Sequence, residues 1–133
     1  MGKKRLATFV SAIALCIAAA APAGAQAQDP ILFVHGYLES SSLWKTMIGR
    51  FEKDGYSKSS LSAYSYNTSQ SNKVDAEEVK SRVESLLKST GATKVDIIAH
   101  SMGSLNSRWY IKFLGGESTV DDWVSLGGPN HGT

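Results

Sequence analysis

The sequence predicts an α/β fold, a three-layer sandwich in which helices cover both faces of a mainly parallel sheet. Three observations lead to this fold class. Short, continuously apolar segments alternate along the chain with longer amphipathic segments. Glycine follows most of these segments, where a turn is needed. The chain has 133 residues, the size of one ordinary domain.

The strands are predicted from the apolar segments. Residues 31–34 are apolar without interruption, and residues 94–99 are short and largely apolar apart from Lys94 and Asp96. Both segments are typical of buried strands. Residues 58–66 alternate loosely between apolar and polar, and residues 120–126 form a further short segment. We expect right-handed crossovers between these strands, which makes the sheet parallel.

The helices are predicted from a period of about 3.6 residues. The clearest helix covers residues 74–90, with Gly91 as its stop. A second covers residues 104–114. The first helix of the chain is expected to end near Gly55 and to begin at a serine cap. The candidate caps are Ser40, Ser41 and Ser42.

The first 25 residues predict a secretory signal peptide. A basic start is followed by an almost wholly small or apolar run, residues 6–23, and Ala25 ends a small-x-small cleavage pattern. We therefore expect cleavage near Ala25 and a secreted protein. An uncleaved membrane anchor is the alternative, because the apolar run is nearly long enough to span a bilayer.

Loss of this segment changes the charge balance. Its three basic residues leave 11 Lys and Arg against 12 Asp and Glu, so we expect no nucleic-acid partner. Cys16 is the one cysteine and lies in the signal, so the remainder cannot form a disulfide. The scattered histidines do not suggest a metal site, and neither a metal nor another cofactor is expected.

The segment between the third predicted strand and the third predicted helix has the layout of a nucleophile elbow. An apolar run ends at Ala99, Ser101 stands between His100 and Met102, and Gly103 precedes the helical pattern. Small residues are needed on either side of such a serine because strand and helix come close together. The alternative, a surface serine in an ordinary turn, is disfavoured by the strand before it and the helix after it.

A second motif follows the first predicted strand. His35 and Gly36 lie at its carboxyl end, the edge at which parallel sheets bind ligands. Gly36 allows the backbone to approach a substrate closely. The amide of Tyr37 and the amide of Met102, at a helix N-terminus, then face the oxygen of a carbonyl group held by Ser101. These two amides are the predicted oxyanion hole.

Together, three segments resemble the small secreted bacterial lipases of the α/β-hydrolase superfamily, the class 2 lipases of Bacillus and actinomycete type. They are residues 33–37, 99–103 and 126–133. The alanine two residues before the serine is a feature of the Bacillus group. The resemblance extends from about Asp29 to the last residue. It implies a partial, minimal α/β-hydrolase fold.

The resemblance also implies an activity and a set of roles. The expected enzyme is a triacylglycerol lipase or carboxylesterase, a monomer that acts on lipid or other esters and contacts a lipid–water interface transiently. Ser101 is the nucleophile, and Tyr37 and Met102 supply the oxyanion hole. The remaining motif residues support this site: His35, Gly36, Ala99, His100 and Gly103.

The acid and the base of a catalytic triad are not evident. In this fold both follow the serine, each at a later strand end. The acids after Ser101 are Glu117, Asp121 and Asp122. They precede or open the last predicted strand, at its wrong end, and are expected to be solvated. His131 lies at the correct edge but matches a loop residue of the family, and His100 is expected to pack or hydrogen bond beside the nucleophile.

We therefore expect residues 29–133 to be the N-terminal part of an α/β-hydrolase domain, interrupted after the strand that follows the nucleophile helix. Expressed alone, this chain is expected to fold poorly and to hydrolyse no ester, because apolar sheet surface stays uncovered. Two other interpretations stay open. One is an acyltransferase or thioesterase that uses the same serine, and the other is a non-catalytic secreted binding protein on a hydrolase scaffold.

Overall fold

The computed structural model describes residues 28–132, and the predicted signal peptide lies outside them. In this part of the chain strands and helices alternate as predicted. Short 3-10 turns precede α1, β2 and β4. The regular elements are β1 (Ile31–Val34), α1 (Lys45–Lys53), β2 (Leu61–Ala63), α2 (Asn72–Thr90), β3 (Val95–His100), α3 (Met102–Phe113) and β4 (Val120–Leu126).

The four strands form one sheet in the order β2-β1-β3-β4, and every neighbouring pair is parallel. The predicted α/β class with a mainly parallel sheet is confirmed. β1 and β3 are central, and all four residues of β1 are buried, as its continuous apolar sequence predicts. Because all strands point the same way, the segments after β1 and β3 lie at one edge of the sheet.

Two hydrophobic clusters occupy the two faces of the sheet, which makes three layers. On one face, α2 and α3 pack against alternate residues of β1 and β3, including Leu32, Val34 and Ile97. On the other face, α1 and its preceding turn pack against Ile31 and Phe33. The larger cluster lies on the two-helix face.

The helix ends differ in how they are stabilised. The Ser71 hydroxyl caps α2 by accepting from the Lys73 amide, and Gly91 ends that helix with a φ of 73°. Ser40, one of the predicted caps, occupies the N-cap position of the 3-10 turn that leads into α1, but its side chain forms no capping hydrogen bond. The Ser40 hydroxyl bonds that of Ser42 instead, and α1 begins after a 3-10 turn with Trp44 at its N-cap position.

β4 is the edge strand on the side away from β2. Its Val124 and Leu126 side chains are 44% and 38% exposed. Within residues 28–132, no helix is both long enough and apolar enough to cross a membrane.

Candidate active site

Ser101 lies in a strained turn between β3 and α3. Its backbone has a φ of 49° and a ψ of −121°, and such a conformation costs a non-glycine residue roughly 1–3 kcal/mol. Strain of this kind is concentrated at functional sites. The turn is held on both sides: the Ser101 amide donates to Leu126 O at 3.0 Å, and Ser101 O accepts from the Ser104 amide at 3.0 Å.

The two small residues near the serine serve a different contact from the one expected. A Cβ on Gly103 would lie 2.5 Å from His35 O and 2.6 Å from Val34 O. The glycine therefore lets the first turn of α3 pack against the end of β1, rather than against the strand that precedes the serine. Ala99 is buried and pairs in register with Val34.

The structure brings the two predicted motifs together. A Cβ on Gly36 would lie 2.9 Å from the Cβ of Ser101, so the loop after β1 passes directly beside the serine side chain. Met102 is the first residue of α3, where amides have no intrahelical acceptor. Within residues 28–132, neither the Tyr37 amide nor the Met102 amide donates to a protein acceptor.

The buried His35 side chain fixes this loop. Its Nδ1 lies 2.8 Å from Gly36 O and its Nε2 accepts from the Tyr66 amide at 3.3 Å, a pattern that assigns the ring proton to Nδ1. The imidazole stacks on the Tyr66 ring at 4.2 Å, and the Tyr66 hydroxyl donates to His35 O at 2.6 Å. Both ring nitrogens of His35 are occupied by backbone groups, so its role is to hold the loop.

This contact also orients the Tyr37 amide. Gly36 C=O and Tyr37 N–H belong to one planar trans peptide, so they point in opposite directions. Because His35 holds the carbonyl, the Tyr37 N–H points away from the imidazole. This is the amide that the sequence assigns to the oxyanion hole.

His100 bonds an acid that the sequence does not single out. Its Nδ1 lies 2.8 Å from Glu39 Oε2, and the same oxygen accepts from the Gly36 amide at 2.7 Å. Burial raises the pKa of Glu39. The hydrogen bonds from His100 and Gly36 and the charge of His100 lower it by more, so the net pKa lies below the ordinary value. His100 thus contacts the loop after β1 through Glu39.

A second buried acid, Asp75, lies between α2 and α3. It is 1% exposed, and its carboxylate accepts from Gln70 Nε2 at 3.4 Å and from Asn106 Nδ2 at 3.5 Å. Burial raises the pKa of Asp75, an effect that the Gln70 hydrogen bond partly offsets. In the sequence Asp75 has the ordinary appearance of an acid in the first turn of a helix.

The acids that follow the serine lie at the opposite edge of the sheet. Glu117, Asp121 and Asp122 are exposed, as expected of solvated residues, and the two aspartates open β4. Asp121 also lies near Asp29 and Asp96, with carboxylate oxygens of the three within 4.8 Å of one another. These carboxylates lie at the amino ends of the strands and Ser101 at the carboxyl ends.

No base contacts the serine in the described residues. Within residues 28–132, neither a histidine nitrogen nor a carboxylate forms a hydrogen bond with the Ser101 hydroxyl. His131 is exposed in the loop after β4. That this chain contains neither the acid nor the base of a triad stays a prediction.

The apolar side chains of the loop after β1 and of the turn before α1 differ in exposure. Tyr37, Leu38 and Leu43 are 57%, 76% and 44% exposed, whereas Trp44 is buried in the core. A cavity of about 270 Å³ beside His100 is lined by side chains of α1, of the 3-10 turn before it and of β4. Its lining residues include Leu43, Trp44, Met47, Arg50 and Leu126.

A sequence model of a lipase family, described as Lipase (class 2), matches residues 28–133. Among solved structures, the Bacillus licheniformis lipase BlEst2 in its mature form is similar, with a TM-score of 0.73 and 24% identity over 81% of this chain and 44% of that one. Its propeptide form has the same TM-score and identity, over 81% of this chain and 24% of that one. The lin2722 product of Listeria innocua has a TM-score of 0.63 and 19% identity over 77% of this chain and 52% of that one.

The family match and the structural matches differ in how much of the chain they cover and in what they establish. The match to the family model covers all of the described residues. At 24% identity or less, the solved structures establish a shared fold. The chain spans less than half the length of either Bacillus structure.

Proposed function

The chain belongs to the class 2 lipase family, and from that premise we propose that the protein hydrolyses carboxylic esters of lipids with Ser101 as its nucleophile. One observation carries the assignment of the serine. Ser101 has a positive φ at the carboxyl end of a central strand, and the Gly36 backbone lies directly beside its side chain. A surface serine in an ordinary turn needs neither feature.

In the proposed reaction the Ser101 oxygen attacks the ester carbonyl carbon. The carbonyl π electrons move to oxygen, and the amides of Tyr37 and Met102 stabilise that oxyanion. A general base takes the hydroxyl proton and returns it to the departing alkoxide, which leaves as an alcohol. Water then attacks the acyl-enzyme by the same steps and releases the carboxylic acid and the free serine.

The base and its acid partner are proposed to lie outside residues 28–132. In this segment both nitrogens of the His35 ring are occupied by backbone groups, and His100 Nδ1 is bonded to Glu39. The segment thus contributes the nucleophile and the oxyanion donors. Met102 fits the second role because it opens α3, where the helix dipole also favours negative charge.

A lipid surface is the proposed partner. The exposed Tyr37, Leu38 and Leu43 present apolar area in and after the loop that follows β1, which suits the acyl part of an ester and a transient contact with a lipid–water interface. We further propose that the protein is exported after cleavage near Ala25, acts as a monomer and binds no nucleic acid.

The test is hydrolysis of p-nitrophenyl esters of increasing acyl length and of a triacylglycerol emulsion by the full-length protein. We expect Ser101→Ala to lower kcat by roughly 10⁴-fold or more. Ser81→Ala, an exposed serine on α2, is the matched control and should retain wild-type rates. An inactive wild type, or a Ser101→Ala variant as active as the wild type, would refute the proposal.

A further inference from the structure

Glu39 accepts a hydrogen bond from the backbone of the loop that carries the predicted oxyanion donor, Tyr37. One carboxylate oxygen, Oε2, accepts both from the Gly36 amide at 2.7 Å and from His100 Nδ1 at 2.8 Å. The Glu39 and His100 side chains are 29% and 38% exposed, so the pair lies at the surface of the site. Hydrogen bonds to an ionised acceptor are stronger than neutral ones.

The hydrogen bond from the Gly36 amide to Glu39 restrains a residue that has little conformational preference of its own. Gly36 lacks a Cβ, so its backbone torsions are loosely restricted, and they set the direction of the following amide, that of Tyr37. His35 holds the carbonyl of Gly36 and Glu39 holds its amide. Two contacts thus fix the two ends of this glycine.

The surroundings also place Glu39 next to the nucleophile. A Cβ on Gly36 would lie 2.8 Å from Glu39 Oε2, 2.9 Å from the Ser101 Cβ and 3.2 Å from His100 Nδ1. The carboxylate and the serine therefore pack against the same glycine. The Glu39 carboxylate is itself held by His100, the residue immediately before Ser101.

The charged form of Glu39 is favoured at this position. Burial raises the pKa of its carboxyl, but the hydrogen bonds from His100 and Gly36 and the charge of His100 together lower it by more, so that the net pKa lies below the ordinary value. Tyr66 is a further titratable group that faces it, and burial raises the pKa of that phenol, which keeps its proton.

We propose that Glu39 is a positioning residue, whose carboxylate holds the Gly36 backbone so that the Tyr37 amide faces the oxyanion formed at Ser101, with His100 fixing the carboxylate. This inference rests on the proposed function. Glu39 contacts neither substrate nor reacting atoms directly, and its effect is exerted through the loop.

The test compares Glu39→Ala and Glu39→Gln in the full-length protein. Glu39→Ala removes the acceptor, and we expect kcat to fall about 10- to 100-fold with KM nearly unchanged, because an oxyanion contact is formed in the transition state. Glu39→Gln keeps an oxygen that can accept from both donors and should restore most of kcat. Glu77→Ala, an exposed acid on α2, is the matched control and should match the wild type.

A second readout separates positioning from general structural damage. A boronic acid mimics the tetrahedral oxyanion once the serine adds to it, so its inhibition constant should rise in Glu39→Ala in proportion to the loss of kcat. Loss of folding stability alone would lower the melting temperature and the active fraction, and leave the inhibition constant of the remaining active protein unchanged.

Three outcomes would overturn the inference. They are an unchanged kcat in Glu39→Ala, equal losses in Glu39→Ala and Glu39→Gln, and a loss of kcat without a change in boronic acid affinity. With an active, Ser101-dependent wild type, any of these leaves the proposed function intact. An inactive wild type would overturn both proposals together.

Discussion

Gly36 and Ser101 lie so close together that a single methyl group at position 36 would come within 2.9 Å of the serine Cβ. We therefore predict that Gly36→Ala lowers kcat for a short-chain ester by about 10- to 100-fold, because the methyl group displaces the Ser101 side chain, the proposed nucleophile, or the loop by a fraction of an ångström. The Glu39 carboxylate would have to move as well. Steady-state kinetics of the full-length variant measure the effect.

The matched control is Gly49→Ala. Gly49 lies in α1, and no atom lies within 4 Å of the place where its Cβ would be. The substitution should leave kcat unchanged and stabilise the fold by about 0.5–1 kcal/mol, since alanine is the better helix former. Equal activity in the two variants would contradict the close contact at position 36.

Gly103→Ala is predicted to act on stability. Its Cβ would meet two backbone oxygens of the β1 end, at 2.5 Å and 2.6 Å, and backbone cannot move aside as a flexible side chain can. We expect the free energy of unfolding to fall by about 1–3 kcal/mol in urea denaturation. A variant as stable as the wild type would show that α3 does not start against β1 as described.

Tyr66→Phe tests the hydrogen bond that stabilises the loop after β1. The Tyr66 hydroxyl is the donor to His35 O, so its removal leaves a buried carbonyl oxygen without that bond and should cost about 1–3 kcal/mol of unfolding free energy. Tyr56→Phe is the control, because the Tyr56 hydroxyl forms no hydrogen bond within residues 28–132. Equal stability of the two variants would contradict the assigned role of Tyr66.

Asp96→Asn is predicted to stabilise the fold at neutral pH. Burial, then the charges of Asp122, Asp29 and Asp121, raise the pKa of Asp96, although a hydrogen bond from the Asp122 amide lowers it in part. A raised folded-state pKa favours folding fully below the unfolded pKa of about 3.9, and this contribution is lost as pH rises through the folded pKa. The amide keeps an acceptor and removes the charge.

The corresponding measurement is the melting temperature of Asp96→Asn and wild type as a function of pH. The variant should melt a few degrees higher at neutral pH, and the difference should shrink toward acid. Glu77→Gln, on the exposed side of α2, should show no such trend. A difference that does not change with pH would argue against charge repulsion at this edge of the sheet.

The order of elements follows closely from local sequence. β1 and β4 begin and end at the predicted residues, and for β1 the reason is that a strand buried along its whole length contains only apolar residues. β2 is only three residues long, although a loose alternation extends over residues 58–66. Alternation does not reveal where a neighbouring strand stops pairing.

The long-range contacts of the site could not be predicted from the sequence. Glu39 looks like an ordinary loop acid in the sequence, and its bond to His100 joins residues 61 positions apart. The same holds for Asp75 and Asn106, 31 positions apart on two helices. A pattern reports the backbone period and local spacing, whereas these pairs depend on how separate elements pack.

The most direct measurement of the central claim is to identify the residue modified by a fluorophosphonate in the full-length protein. Peptide mass spectrometry should find the adduct on Ser101, with none on the Ser101→Ala variant and normal labelling of Ser81→Ala. An adduct on another serine, or equal labelling of wild type and Ser101→Ala, would contradict the assignment of Ser101 as the nucleophile.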